Sequence, residues 1–112
     1  MYKIIDIKHK ETGKTREDGR YPLRIGSLVE FDFKPFVGNY MFYNYIADKD
    51  GHPKEGTLRT SLVFSVHEEK DILTVTTFNS IYEFENLNHP WRKACDYVRE
   101  EYGEEIESTL VL

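Results

Sequence analysis

The residues able to do chemistry in this chain are few and scattered. Its four histidines, His9, His52, His67 and His89, show no i, i+4 pairing, and Cys95 is the single cysteine. A metal centre needs His, Cys or carboxylate ligands that converge, and no such set is assigned. Asp48-Lys49-Asp50-Gly51 resembles a fragment of a calcium loop but lacks the third acid and the closing glutamate, so it reads as a turn. Ser61, Ser65 and Ser80 stand in predicted strands with no glycine-flanked elbow. His67 is near enough in sequence to meet a serine across a hairpin, but alternation and solvent exposure explain its position more simply. Carboxylate pairs recur (Glu68-Glu69, Glu83 with Glu85, Glu100-Glu101, Glu104-Glu105), yet none is marked for the desolvation that acid catalysis requires. No glycine-rich run opens a helix as a phosphate loop does. No catalytic residue, metal or cofactor is therefore expected, and the chain points away from an enzyme.

The aromatic residues are more informative. Phe31, Phe33, Phe36, Tyr40, Phe42, Tyr43 and Tyr45 put seven rings within fifteen positions. One strand cannot turn all of them into one core. Tyr40, Phe42, Tyr43 and Tyr45 form the candidate binding surface, because tyrosine combines large contact area with a polar tip. The competing reading is ordinary core, since aromatics favour strands whatever the function.

These residues must be held by strands. Tyr2–Lys8 reads as a first strand and Glu11–Arg20 as a charged loop. Arg24–Phe33 alternates, with Ile25, Ser27, Val29, Phe31 and Phe33 on one face. Tyr40–Ile46 is apolar on both faces, and Asp48–Gly56 is a hairpin loop. Thr57–His67 follows, with Leu58, Thr60, Leu62, Phe64 and Val66 expected inside. Glu68–Asp71 turns the chain into Ile72–Phe84, expected to return antiparallel to it. Tyr82 and Phe84 are out of phase with Leu73, Val75 and Thr77, so a β-bulge is predicted at Asn79-Ser80. That bulge, with Tyr82 and His67, makes a candidate pocket at the barrel mouth.

Beyond Glu85 the period changes. Trp91, Ala94, Cys95, Val98 and Tyr102 fall on one helical face. Pro90 suits the first helical position and Gly103 the position past the end, so a helix is predicted near residues 90–102, its stripe packed on the sheet or closing one barrel end. On that stripe Cys95 would be buried, its pKa raised and its thiol inert. Thr109–Leu112 could add a last strand. The fold class is mainly β (α+β): five or six antiparallel strands in a small barrel or strongly twisted sheet, with one C-terminal helix, in a single β-rich domain over residues 1–112.

Composition narrows the partners. The net charge of −5 argues against general nucleic-acid binding, which needs clustered cations. Charge is uneven: Met1–Arg24 carries seven basic and four acidic residues, Glu83–Leu112 three and eight. This is either a solvated surface, or the two ends attract each other, or the acidic end meets a basic partner. One cysteine, no signal-like start and no membrane-length apolar run read as a soluble, cytoplasmic protein.

Leu23-Arg24-Ile25-Gly26-Ser27, Thr60-Ser61-Leu62-Val63 and Thr76-Thr77-Phe78-Asn79-Ser80-Ile81-Tyr82 resemble segments of small uncharacterised bacterial proteins. The resemblance reaches to about Glu85, implies a bacterial or mobile-element origin, and carries no activity. Three functions remain in play. The leading one is a module that binds a protein partner or self-associates through the aromatic strand or an open sheet edge. The others are a nucleic-acid module of OB or SH3-like type, and a small-ligand carrier or small enzyme with a pocket at the barrel mouth.

Overall fold

The computed structural model describes residues 1–88. Within them six strands close into an antiparallel barrel in chain order: β1 (Tyr2–His9), β2 (Leu28–Glu30), β3 (Tyr40–Ala47), β4 (Thr57–Glu69), β5 (Ile72–Thr77) and β6 (Ser80–Asn86). Closure is made by β6 on β1, from Tyr2 opposite Asn86 to His9 opposite Ser80. One helical turn, α1 (Tyr21–Arg24), begins with Pro22 in its first turn. The predicted helix near residues 90–102, with Cys95, and the predicted strand Thr109–Leu112 lie outside the described residues.

Alternation places the core. Ile4, Ile7, Val29, Met41, Tyr43, Val63, Leu73, Val75, Tyr82 and Phe84 are buried together. Phe84 is central, with Phe31 edge-on at 5.1 Å, Tyr43 at 6.1 Å and Tyr82 stacked at 6.0 Å. Burial pushes the Tyr43 and Tyr82 hydroxyls above the usual tyrosine pKa. The Tyr43 hydroxyl has no hydrogen-bond partner among the described residues. A buried polar group without a partner costs about 1–3 kcal/mol. Tyr43→Phe is therefore expected to raise stability by about 1 kcal/mol, read as a higher urea midpoint. A lower midpoint would mean that the hydroxyl is in fact held.

Three expectations need correction. Ile72–Phe84 is two strands rather than one bulged strand. Only Ile72–Thr77 pairs with β4, and Ser80–Asn86 turns back along β5, with Val75 opposite Tyr82. The change of phase at Asn79-Ser80 is a hairpin turn over Phe78 and Asn79. Neither residue has a positive φ, so this turn lacks the glycine that primed hairpin turns require. It is held instead by side chains: the Ser80 N–H donates to Thr77 Oγ1 at 3.1 Å, and Thr77 Oγ1 donates to the Ser80 carbonyl.

The second correction concerns β4. Val63 is buried, whereas Leu62 and Phe64 face outward. Irregular register on either side, opposite Met41 and again at Phe64, shifts the phase twice. The bulges let one long strand pair with β3 along its first half and with β5 along its second, bending around the barrel. The third is that Arg24–Phe33 is not one strand. It holds the end of α1, a glycine pivot at Gly26 and the short β2. Ser27, Val29 and Phe31 do turn inward, but Phe33 is exposed and pairs instead with Phe36 at 6.1 Å.

Candidate functional site

The outer face of β3 and β4 carries an unusual row of rings. Tyr40 pairs with Leu62 across the strands, and Phe42 with Arg59. All four point away from the core. Phe64 continues the row two residues after Leu62, and the β5–β6 turn adds Phe78, whose ring lies 5.8 Å from that of Phe64. The turn is docked there by the Phe78 N–H, which donates to the Leu62 carbonyl at 2.9 Å. Exposure of the apolar members runs from 36% for Leu62 to 62% for Phe78. Exposed apolar patches of this kind mark interaction sites more often than chance surface.

Two cations edge the row. Lys10 Nζ lies 4.1 Å above the Phe64 ring centre and 5.8 Å from that of Phe78. The Arg59 guanidinium lies 4.9 Å from the Tyr40 ring. Neither forms an ion pair among the described residues. Ring faces attract cations, so both charges are held over apolar surface with no paired acid among the described residues.

Beside Lys10 the face opens into a polar groove of about 730 Å³ at the barrel end. His9, Glu11, Thr12, Arg16, Tyr21 and Asn79 complete its lining. The wall is built by the segment between β1 and α1, read from sequence as a loop. It is tied to β1 by a bridge from Thr15 to Lys8 and by the Arg16 N–H donating to the Ile7 carbonyl at 2.8 Å. Arg16 clamps it across the turn. Its Nη1 donates to Ser80 Oγ at 2.7 Å, its Nε and Nη2 donate to Asp18 at 3.1 and 2.6 Å, and its plane covers Tyr21 at 4.0 Å.

The hydrogen bonds from Arg16 hold the Asp18 carboxyl at about 2, below its ordinary 3.8, with His9 at 3.6 Å a smaller influence. The folded value is depressed. The pair's contribution to stability is therefore complete above the unfolded value and is lost as pH falls from about 4 through 2. Carboxyl carbon shifts should titrate Asp18 with a midpoint about 2. In Arg16→Gln that midpoint should move up toward the ordinary range. An unmoved midpoint would sink the assignment.

The predicted site residues are divided among different places. Tyr40 and Phe42 lie on the outer face. Tyr43 is buried and so cannot present a surface, and Tyr45 is half-buried against Tyr43 at 5.5 Å. Asn79 lines the groove, Tyr82 is in the core, and His67 lines a separate depression with Glu69, Lys70, Asp71, Ile72 and Thr74. The pocket of Asn79, Tyr82 and His67 is not assembled. Leu62 and Phe64 were missed because unbroken alternation turned them inward. Phe78 and Lys10 had no local signal beyond their types.

One group of three possible metal ligands occurs among the described residues. Atoms of Asp48, Asp50 and His52 come within 4.8 Å of one another. Asp48 Oδ1 already accepts the N–H groups of Asp50 at 2.9 Å and His52 at 3.0 Å. Those bonds depress the Asp48 pKa and make the turn that brings the three residues together.

Comparison with protein-family models, curated proteins and solved structures found no match to the chain. The functional reading therefore rests on this geometry.

Proposed function

We propose that the chain is a protein-interaction module that takes a partner segment of mixed apolar and acidic character on the outer β3–β4 face. The observation that carries this is the row of exposed rings edged by Lys10 and Arg59, two cations without acids among the described residues. Apolar side chains of the partner would cover the rings while its carboxylates meet the cations. Closure of the barrel removes the open edge that strand addition needs, so a face rather than an edge does the docking. A cytoplasmic setting fits the single cysteine, and among the described residues no helix is long and apolar enough to cross a membrane.

The test compares affinity capture and size exclusion for the natural chain, Tyr40→Ala and Phe64→Ala. Aromatic anchors at the centre of an interface are worth about 2 kcal/mol or more, roughly a thirtyfold weakening. Tyr43→Ala is unsuitable because it would remove core. Capture unchanged in both outer-face variants would refute the reading.

The stacked cations also favour a second reading, a single-stranded nucleic acid with bases laid on Phe64 and Tyr40. Anisotropy of labelled single strands over a salt series separates the two. Phosphate contacts must strengthen at low salt, so a flat response there removes nucleic acid.

A further inference from the structure

We propose that the polar groove at the barrel end binds a small zwitterion bearing a flat apolar group, the chemistry of an aromatic amino acid, with its carboxylate on Lys10 and its ammonium on Glu11. This site stands apart from the docking face and shares only Lys10 and Phe78 with it.

Two turns carry most of the groove, and each is tied down by main-chain bonds. Lys10, Glu11 and Thr12 stand on the turn that follows β1. The His9 N–H donates to the Lys14 carbonyl and the Gly13 N–H to the His9 carbonyl, both at 2.8 Å. Phe78 and Asn79 stand on the β5–β6 turn. The Phe78 N–H donates to the Leu62 carbonyl at 2.9 Å and the Asn79 N–H to Ser61 Oγ at 3.2 Å. Arg16, donating to Ser80 Oγ at 2.7 Å, joins the two sides. The volume of about 730 Å³ falls in the range of small-molecule sites, roughly 300–1,000 Å³. Walls fixed in this way lose little freedom when a ligand enters.

Charge decides what that ligand is. The titratable groups on the lining are His9, Lys10, Glu11, Arg16 and Tyr21. Arg16 is neutralised by Asp18, and His9 Nε2 faces the same carboxylate at 3.6 Å. Lys10 and Glu11 remain, and neither has an ion pair among the described residues. They are neighbours in the chain but do not pair with each other, and Lys10 Nζ lies instead over the Phe64 ring at 4.1 Å. The groove thus offers one unmet charge of each sign. A phosphate would meet one cation and be repelled by Glu11. A zwitterion meets both. Two neutral groups add to the recognition. Asn79 makes its hydrogen bonds among the described residues through its main chain, which leaves the side-chain amide to a ligand. Thr12 Oγ1 accepts the Lys14 N–H at 3.2 Å and keeps its own proton to donate. The exposed ring of Phe78 gives a flat group a surface to pack on.

Amide nitrogen–proton spectra of the full chain near neutral pH test this, with Lys10, Thr12 and Asn79 as reporters. The probes are L-phenylalanine, phenylalanine amide, phenylpropionate, L-alanine and inorganic phosphate. Phenylalanine should shift the reporters saturably and leave Val75 unmoved. Loss of either charge, in the amide or in phenylpropionate, should weaken binding about fivefold, as one exposed ion pair allows. Alanine, which keeps both charges without the ring, should also bind more weakly. Glu11→Gln should remove the advantage of phenylalanine over phenylpropionate and keep its advantage over the amide, and Lys10→Gln should do the reverse. Both side chains are exposed, so neither change should disturb the barrel. Phosphate or phenylpropionate binding as tightly as phenylalanine would make the groove an anion site and overturn the proposal. So would the lack of a saturable shift with phenylalanine, or a ranking of the probes that neither substitution alters.

Discussion

Phe84→Ala is expected to cost the barrel about 3–5 kcal/mol, read as a fall in the urea midpoint with little change in slope. Phe84 is fully buried and touches rings from four directions: Tyr2, Phe31, Tyr43 and Tyr82. Tyr2, Tyr43 and Tyr82 are held in β1, β3 and β6, which limits how far they can collapse into the space. A small domain has about 5–15 kcal/mol in total, so the variant sits near the edge of folding. The informative control is Phe64→Ala. Phe64 is the same residue type on a neighbouring part of the sheet, but it is 43% exposed. Its loss should cost less than about 1 kcal/mol. Strict alternation along Thr57–His67 would put Phe64 inside and make the two costs alike. A large loss at Phe64 would thus restore the simple strand and remove the bulges.

Gly26→Ala is the second large effect, expected at about 2–4 kcal/mol from backbone strain and crowding together. Gly26 has φ +96°, a region L side chains rarely adopt, and an added Cβ would stand 3.0 Å from Lys49 Cβ. Its N–H donates to the Ile4 carbonyl at 2.7 Å, and the Ile4 N–H donates to the neighbouring Ser27 carbonyl at 3.0 Å. These bonds sew the chain to β1 just as it leaves α1 for β2. Displacing Gly26 loosens that seam. The check is equilibrium unfolding together with amide exchange at Ile4. Exchange at Ile4 should quicken more than at Val75, which lies in β5, away from the seam. Equal stability of Gly26→Ala and the natural chain would show that the loop can move aside freely.

These two positions show how far local pattern reaches. Phe84 was legible as an inward residue, because Tyr82 and Phe84 share a parity. By sequence Gly26 falls on the outward side of an alternating strand, since a lone glycine between apolar residues gives no sign of its φ. The outer face was half legible. The excess of aromatics in Tyr40–Tyr45 said that some ring must face out, but strand parity could not choose which.

The mainly β class, the antiparallel order and the β3–β4 and β4–β5 hairpins follow from the sequence by itself. Period-two alternation and clusters of turn residues act over a few positions, so they can be read one segment at a time. Only the tertiary structure decided that β6 closes on β1, that Phe78-Asn79 is a turn, and that Leu62, Phe64 and Phe78 form one surface with Lys10 and Arg59. Each depends on register between strands far apart in the chain. A single bulge moves every following side chain to the other face, and bulges are set by what a strand must pair with on both sides.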